Sequence, residues 1–340
     1  LTINGSGTVD IDTSIDTLIA STNNTNITVN ETDTLVLGDI TAGIGNMILT
    51  LQSGSLTSAG GTKIIANQAA LTAPEGIDVN TNISDLTATS ANAGIAVNED
   101  DSITLTNLTA DSTIDISNSS GDITAVSLSA QIINLTSQGQ VLDDQDASTY
   151  INAADSLFII ANNGDIGSNT AVPVTYLDID HVPATALTLQ ALQGSVYVRF
   201  NQSAINTSDF NGNIAFLDTG NLGIVSTGDI IIDDNFLAFA DKSHNVYLYA
   251  DADILDSHEN VGQNHILDIR ADELIMRAQN NIGDATTPDA IEIDVNSVDA
   301  QVNSAAGGVA LYSGYDGGPD LSLIHISEPT RLGMISYAVF

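Results

Sequence analysis

The stretch LFIIANNGDIG at residues 157–167 returns in altered form as LIMRAQNNIG at residues 274–283. VLDD at residues 141–144 precedes the first copy, and ILDS at residues 254–257 precedes the second. Matched positions lie 113 (141 to 254) to 117 (157 to 274) residues apart. This regular spacing indicates a long structural repeat, which is typical of proteins built from stacked units. Each copy continues into a proline and a short alternating strand: Pro173 with residues 177–179, and Pro288 with residues 291–293.

A shorter period runs through residues 71–135. Apolar pairs begin at Ile77, Ile95, Ile114 and Ile133, in steps of 18, 19 and 19 residues. A second track consists of four Leu-Thr/Ser-Ala runs, which begin at Leu71, Leu86, Leu108 and Leu128. Their mean step is also 19 residues (71 to 128 in three steps). Two tracks with one period predict parallel stacked turns of three short strands each, with helix nearly absent. Neighbouring turns must cover the Ile and Leu side chains, and burial of each one contributes roughly 1.5 to 3 kcal/mol to the stability of the fold.

The residues between the inward positions provide a test of this register. In successive turns they are Asp78, Ala96, Asp115 and Asn134. In-register stacking would bring like charges to about 4.8 Å, which costs about 0.9 kcal/mol per pair in water. Here neutral residues separate the charged ones. We therefore predict that these four residues form one outward ladder, the alternative being chance alternation in an Asp- and Asn-rich chain.

Composition divides the chain into three parts. Residues 1–140 read as a regular β-solenoid with turns of about 19 residues, and residues 141–320 as a solenoid with longer turns. All fifteen Tyr and Phe residues lie in the later part of the chain, and Tyr150 is the first of them. They are expected to fill a wider interior or to cover its sides, with a carbohydrate-stacking platform as the alternative. Residues 321–340 break the pattern and resemble adapter-derived read-through, so they are excluded from the fold prediction.

Charge excludes several functions. Six Lys and Arg residues against forty-three Asp and Glu residues give a net charge of −37, so nucleic acid and anionic lipid would be repelled. The chain has no cysteine, hence no disulfide and no thiolate metal site. It has no apolar run of about 18 residues, and no membrane insertion is expected. We expect a signal sequence to lie outside this stretch, which reads as an internal fragment of a longer protein.

The pattern L-x-x-x-A-x-x-(G)-x-I-G followed by Pro and an alternating strand resembles repeats of filamentous-haemagglutinin-type giant bacterial surface proteins. It occurs at residues 157–179 and 274–293, and similar G-[DN]-I/L-x-I turns occur at residues 213–234. The likeness covers most of residues 1–320 and is repetitive in character. It implies an all-β fold, a right-handed parallel β-helix, in a secreted or surface-tethered adhesin. The secretion domain that normally precedes such a region in that family has no match here.

Catalytic motifs are weak. His258, Glu259 and His265 lack the spacing of a metalloprotease helix, and consecutive Asp256-Ser257-His258 cannot assemble a triad on one loop. Arg199 beside Tyr197 is the best candidate for a substrate contact, although a side chain extending along the solenoid wall explains it equally well. No catalytic residue is assigned.

Calcium is more plausible than catalysis, because clustered carboxylates on turns suit a hard cation. The candidate ligands are Asp143, Asp144, Asp233 and Asp234, as weak and diffuse sites. Other acidic pairs lie at Asp178/Asp180 and Asp251/Asp253, and Tyr315-Asp316-Gly317-Gly318 is a lone fragment of a calcium-binding repeat. No cofactor is required.

The predicted function is that of a non-catalytic structural or adhesive segment of a large secreted or cell-surface bacterial protein. Its expected partners are a glycan or protein on a host or neighbouring cell and the flanking solenoid repeats of the same chain. The rival is a polysaccharide-binding or polysaccharide-cleaving β-helix protein. A deep acidic groove with convergent carboxylates would favour that rival.

Overall fold

Inward-facing aliphatic side chains of successive turns lie directly over one another in the computed structural model. Ile77 pairs with Ile95, Ile95 with Ile114, and Ile114 with Ile133. All four side chains are buried. The predicted register is therefore confirmed. The structure describes residues 1–145, 150–168, 175–180, 187–210, 214–216, 220–233, 237–238, 242–257, 267–283, 290–313 and 324–327.

Strands make up nearly all the regular structure of these ranges. The first sixteen are β1 Thr2–Asn4, β2 Val9–Thr13, β3 Thr17–Ser21, β4 Ile27–Glu31, β5 Leu35–Thr41, β6 Met47–Leu51, β7 Leu56–Ser58, β8 Ile64–Ile65, β9 Gln68–Thr72, β10 Ile77–Asn82, β11 Asp85–Ser90, β12 Ile95–Glu99, β13 Ile103–Ala110, β14 Thr113–Asn118, β15 Ile123–Ala125 and β16 Ser127–Ser137.

The later strands follow the same plan. They are β17 Val141–Asp143, β18 Tyr150–Ala161, β19 Leu177–Ile179, β20 Leu187–Ala191, β21 Val196–Phe200, β22 Ala204–Asn206, β23 Ile214–Phe216, β24 Leu222–Ser226, β25 Asp229–Ile232, β26 Leu237–Ala238, β27 Val246–Ala250, β28 Ile254–Asp256, β29 Ile269–Ala278, β30 Ile291–Val302, β31 Leu311–Tyr312 and β32 Ile324–Ser327. Within the described ranges the only helical element is a 3-10 turn at Thr207–Phe210, as the near absence of helix predicts.

The chain forms two compact units. Leu1–Arg199 with Asp209–Gly220 make the first, and Phe200–Ser208 with Asn221–Phe340 make the second. In the first unit the stack continues from Ile133 to Leu157 and Leu187, in longer steps of 24 (133 to 157) and 30 (157 to 187) residues. In the second unit Leu222, Val246, Leu274 and Val298 stack in the same parallel manner. Each unit is a parallel β-solenoid, which confirms the predicted fold class.

The outward ladder is also confirmed. Asp78 pairs with Ala96, Ala96 with Asp115, and Asp115 with Asn134. Asp78 and Asp115 are exposed, and Ala96 keeps them apart in the stack. Asp78 and Asp115 therefore avoid the repulsion that adjacent carboxylates would feel in parallel strands.

The predicted register of the second track is wrong by two residues at one turn. Ala88, not Leu86, pairs with Leu71 and with Leu108, whereas Leu86 pairs with Ala69. Side chains in a strand alternate with a period of two, so a slip of two residues keeps the same face inward. The apolar pattern alone cannot detect such a slip.

The prediction of three strands per turn is wrong for several turns. Between Ile77 and Ile95 the chain forms only β10 and β11. Between Leu56 and Ile77 it forms three strands, β7, β8 and β9, and β10 pairs with both β7 and β8. β13 likewise pairs with both β15 and β16, which Val126 separates.

Asp and Asn side chains at the turns hold the next turn in place. Asp122 Oδ1 accepts a hydrogen bond from the Gln140 N–H at 2.8 Å, and Asp165 Oδ1 accepts one from the Ser195 N–H at 2.7 Å. In the second unit Asp229 Oδ1 accepts from the Asp253 N–H at 3.0 Å. These contacts give many of the acidic residues a structural role, because they satisfy backbone donors that no strand ladder reaches.

Several aromatic residues fill the interior, as predicted. Phe200 and Phe210 are fully buried, and Tyr197 is 2% exposed. Tyr150 and Phe158 differ from these, since the first is 41% exposed and the second is half-buried. Both lie on β18, where a surface ligand could reach them.

Candidate functional site

The two copies of the long repeat make the same backbone contacts. The Gly167 N–H donates to the Val141 carbonyl at 2.9 Å, and the Gly283 N–H donates to the Ile254 carbonyl at 2.8 Å. Both glycines have positive φ, at 69° and 65°. The hydrogen bonds from the next turn also match. The Tyr197 N–H donates to the Ile166 carbonyl, and the Ala310 N–H donates to the Ile282 carbonyl, each at 2.7 Å. The copies can therefore be compared position by position.

In the first copy two buried carboxylates lie next to each other. Asp143 is 8% exposed and Asp178 is 4% exposed. Asp143 Oδ2 accepts a hydrogen bond from the Asp178 N–H at 3.3 Å, and its Oδ1 accepts one from the Gln145 N–H at 2.7 Å. β17 and β19 supply the two acids, so the contact joins segments that are 35 residues apart.

Arg199 supplies the counter-charge in this copy. Its Nη1 lies 3.1 and 3.2 Å from the two carboxylate oxygens of Asp178. The guanidinium also lies over the ring of Tyr176, 5.6 Å from its centroid, which is a cation–π arrangement. Arg199 on β21 is thus engaged by Asp178, and a substrate contact at Arg199 stays a prediction.

Burial raises the pKa of Asp178 to about 6, against the opposing effect of Arg199 and with a further rise from Asp143. The folded protein therefore binds the Asp178 proton more tightly than the unfolded chain does. The contribution of this carboxyl to stability is fully present below its ordinary pKa of 3.8 and is lost as the pH rises through about 6.

We accordingly expect the free energy of unfolding of the wild type, relative to Asp178→Asn, to increase as the pH falls from 7 to 4. The full difference in pKa corresponds to about 3 kcal/mol at most. Urea unfolding of both proteins across this pH range measures the effect, with Asp10→Asn at an exposed carboxyl as the control. A relative stability that is constant with pH, or that falls in acid, would contradict the assignment.

In the second copy three acids converge without an arginine of this kind. The carboxylate oxygens of Asp256, Asp268 and Glu292 lie within 4.8 Å of one another. Asp268 is 0% exposed and Glu292 is 1% exposed. The Glu292 N–H donates to Asp268 Oδ2 at 2.7 Å, and the Asp268 N–H donates to the Glu292 carbonyl at 3.0 Å. We call these three residues the acidic triplet.

The acidic triplet differs from the first cluster at two matched positions. Tyr312 pairs with Glu292 in the β30–β31 ladder and stands where the first copy has Arg199, two residues beyond the matched pair Tyr197 and Ala310. Asp268 stands where the first copy has Tyr150, since residues 151–153 match residues 269–271. The second copy thus gains a carboxylate and loses a guanidinium.

Two cations of the second unit bind Asp294. Lys242 forms an ion pair with Asp294, and Arg270 Nε lies 3.0 Å from Asp294 Oδ2. Burial raises the pKa of Asp268 far above its ordinary value, and the negative charges of Asp256 and Glu292 add to this rise. A proton or a cation at the triplet would therefore reduce the repulsion among these acids.

None of the predicted calcium ligands belongs to this triplet. Asp143 belongs to the first cluster, and Asp144 follows it in the chain. The Asp233 backbone N–H donates a hydrogen bond to Thr207 Oγ1 at 2.7 Å, which links it to the preceding turn. Asp234 lies outside the described residues. Calcium binding by these four residues stays a prediction.

Sequence reasoning did not select Asp268 or Glu292. A signal was present, since the repeat aligns Asp143 with Asp256 and Asp178 with Glu292, so that both copies keep acids at two matched positions. Asp268 has no acidic counterpart in the first copy, and only folding reveals its burial. The motifs at His258, Glu259, His265 and residues 315–318 lie outside the described part of the chain.

The ladder face of the first unit carries a shallow groove. One part, of about 420 Å³, runs past Asp78, Ala96 and Asp115. The other, of about 570 Å³, runs past Asp115, Asn134 and the half-buried Phe158. The groove combines an aromatic ring with carboxylate, amide and hydroxyl groups, which are the groups that contact sugars.

In the described ranges no helix is long and apolar enough to cross a membrane. The chain has no match among protein-family models, curated proteins or solved structures.

Proposed function

We propose that this chain is a non-catalytic structural or adhesive segment of a large secreted or cell-surface bacterial protein, of the filamentous-haemagglutinin type that its repeats resemble. The observation that carries the proposal is the in-register parallel stacking, in which Ile77, Ile95, Ile114 and Ile133 form one continuous inner column. Such a column joins each turn to the next through backbone hydrogen bonds and buried aliphatic contacts. This construction resists bending and suits a stalk.

The polar exterior supports the same proposal. The outward positions carry Asp, Asn, Thr and Ser, and the net charge is −37. A surface of this kind stays soluble and avoids association with other acidic polymers. A stalk or adhesive exposed to the medium needs both properties.

The groove on the ladder face favours a more specific version, in which the side of the solenoid binds a neutral or cationic glycan. Phe158 offers a ring for stacking, and Asn134 and Asp115 lie one and two turns earlier in the same ladder. A glycan chain laid along the ladder would meet a new turn about every 4.8 Å. This version makes polysaccharide binding the function, with cleavage as the further alternative.

A glycan array probed with the full chain tests the adhesive version, and a polysaccharide panel assayed for new reducing ends tests for cleavage. We expect binding without release of product. Phe158→Ala should weaken binding about fivefold or more, since a ligand ring stacked on an aromatic side chain contributes about 1 kcal/mol beyond the area that it buries. Tyr150→Ala removes an exposed aromatic from the same strand and should leave binding unchanged.

Other results of these two assays would change the proposal. New reducing ends or unsaturated sugars would overturn the non-catalytic proposal. Binding that survives Phe158→Ala and fails in Tyr150→Ala would move the adhesive surface away from the groove. The absence of glycan binding would leave the stalk as the proposed role and remove the adhesive one.

A further inference from the structure

We propose that the acidic triplet Asp256, Asp268 and Glu292 is a binding site for one divalent cation of the calcium type. The site lies in the second unit and does not depend on whether the groove of the first unit binds a glycan. It is also distinct from the weak sites expected at Asp143, Asp144, Asp233 and Asp234. Its ligands are oxygen atoms alone, which is the donor set that hard cations select.

The first argument is an unsatisfied oxygen. Asp268 is fully buried, and its Oδ2 already accepts the Glu292 N–H. Its Oδ1 has no hydrogen-bond partner in the described part of the chain. A buried carboxylate oxygen without a donor costs free energy, so native structures pair such atoms with a donor, an ion or water. A cation in the triplet would fill this role.

The second argument comes from the other copy of the repeat. There the acid that matches Glu292 is Asp178, and the guanidinium of Arg199 contacts both of its oxygens. In the second copy Tyr312 stands at the position of Arg199, and the cluster has one more carboxylate. The same fold thus carries an arginine beside its acids in one copy and an additional carboxylate in the other. A bound metal ion would balance the added negative charge.

The geometry suits calcium. Oxygens that lie within 4.8 Å of one another can all approach a common centre at roughly 2.3 to 2.6 Å after small side-chain movements. Magnesium requires shorter bonds of about 2.0 to 2.1 Å and near-octahedral geometry, so it fits this spacing less well. Asp256 ends β28, Asp268 precedes β29, and Glu292 lies in β30. One ion would therefore bind three separate strand segments together.

Thermal unfolding of the full chain in calcium and in chelator tests the proposal. At calcium 100-fold above its dissociation constant, we expect the midpoint to rise by roughly 5 to 10 °C. Isothermal titration at high potassium chloride should show one saturable site, because salt suppresses diffuse adsorption to an acidic surface. Terbium bound at the triplet should luminesce on tyrosine excitation, since Tyr312 pairs with Glu292.

Matched variants separate this site from general charge effects. Asp268→Asn and Glu292→Gln should each abolish the calcium-dependent rise and the saturable site. Asp251→Asn makes the same charge change at an exposed turn of the same unit and should keep both. Equal midpoints in calcium and chelator for the wild type would overturn the proposal. So would a saturable site that persists in both triplet variants, or one that Asp251→Asn removes.

Discussion

Replacement of Gly167 by alanine is expected to destabilise the first unit by about 3 kcal/mol or more. The glycine has φ of 69°, a region that costs an alanine about 1 to 2 kcal/mol. A Cβ there would also clash with the Tyr197 carbonyl oxygen and would lie 2.9 Å from that of Thr175. Both contacts are with backbone atoms, so the next turn would have to move. Urea unfolding of the full chain measures the loss.

Two glycines elsewhere in the same unit separate backbone strain from the clash. Gly61 has φ of 80°, and a Cβ at this residue would have no atom within 4 Å, so Gly61→Ala should cost only the strain of about 1 to 2 kcal/mol. Gly60 has open space and no positive φ, so Gly60→Ala should change stability by less than about 0.5 kcal/mol. Equal effects for Gly167→Ala and Gly61→Ala would show that the close approach of the next turn is not limiting.

Replacement of Glu99 by alanine is expected to cost about 3 kcal/mol, because it leaves buried donors without acceptors. Glu99 is 2% exposed. Its Oε2 accepts from Thr81 Oγ1 at 2.7 Å and from the Ile83 N–H at 3.2 Å, and its Oε1 accepts from the Asp100 N–H at 2.8 Å. Burial raises the pKa of this carboxyl, against the lowering effect of the same hydrogen bonds. The side chain thus serves as an acceptor for the turn that it caps.

The same arrangement recurs at Glu31, which provides an internal repeat of the experiment. Glu31 accepts from Thr13 Oγ1 at 2.6 Å, from the Ile15 N–H at 3.2 Å and from the Thr32 N–H at 2.8 Å. Glu31→Ala should therefore also destabilise the chain. Glu75→Ala, at an exposed glutamate of the same unit, should have an effect within about 0.5 kcal/mol. Similar losses in all three variants would indicate a general charge effect instead of turn capping.

The register of the main stack was predictable because it depends on local information. Inward Ile residues at 77, 95, 114 and 133 return at nearly constant spacing, and parallel in-register pairing places each over the next. The neutral Ala96 between Asp78 and Asp115 followed from the same pattern. The slip at Leu86 was not predictable, because a shift of two residues leaves every apolar side chain facing inward.

The buried acids show where prediction from sequence stops. Asp178, Asp268 and Glu99 look like the many exposed acids of this chain, since an Asp or Glu near a strand gives no local sign of its burial. The length of each connecting segment decides which acid turns inward and what meets it there. Those lengths vary from turn to turn after residue 140, so the partners of Asp178 and Asp268 come from segments 21 to 35 residues away.

The sequence by itself determined the all-β solenoid, the stacking period and the long repeat, because repeated aliphatic residues with a period of two can be covered only by neighbouring turns of the same kind. Only the tertiary structure decided that one copy of the repeat places Arg199 on its acids and the other collects Asp256, Asp268 and Glu292. The physical reason is that the hydrophobic pattern fixes which positions face inward. The packing of distant turns fixes which polar groups meet, and each such group must then find a partner of opposite charge or a donor.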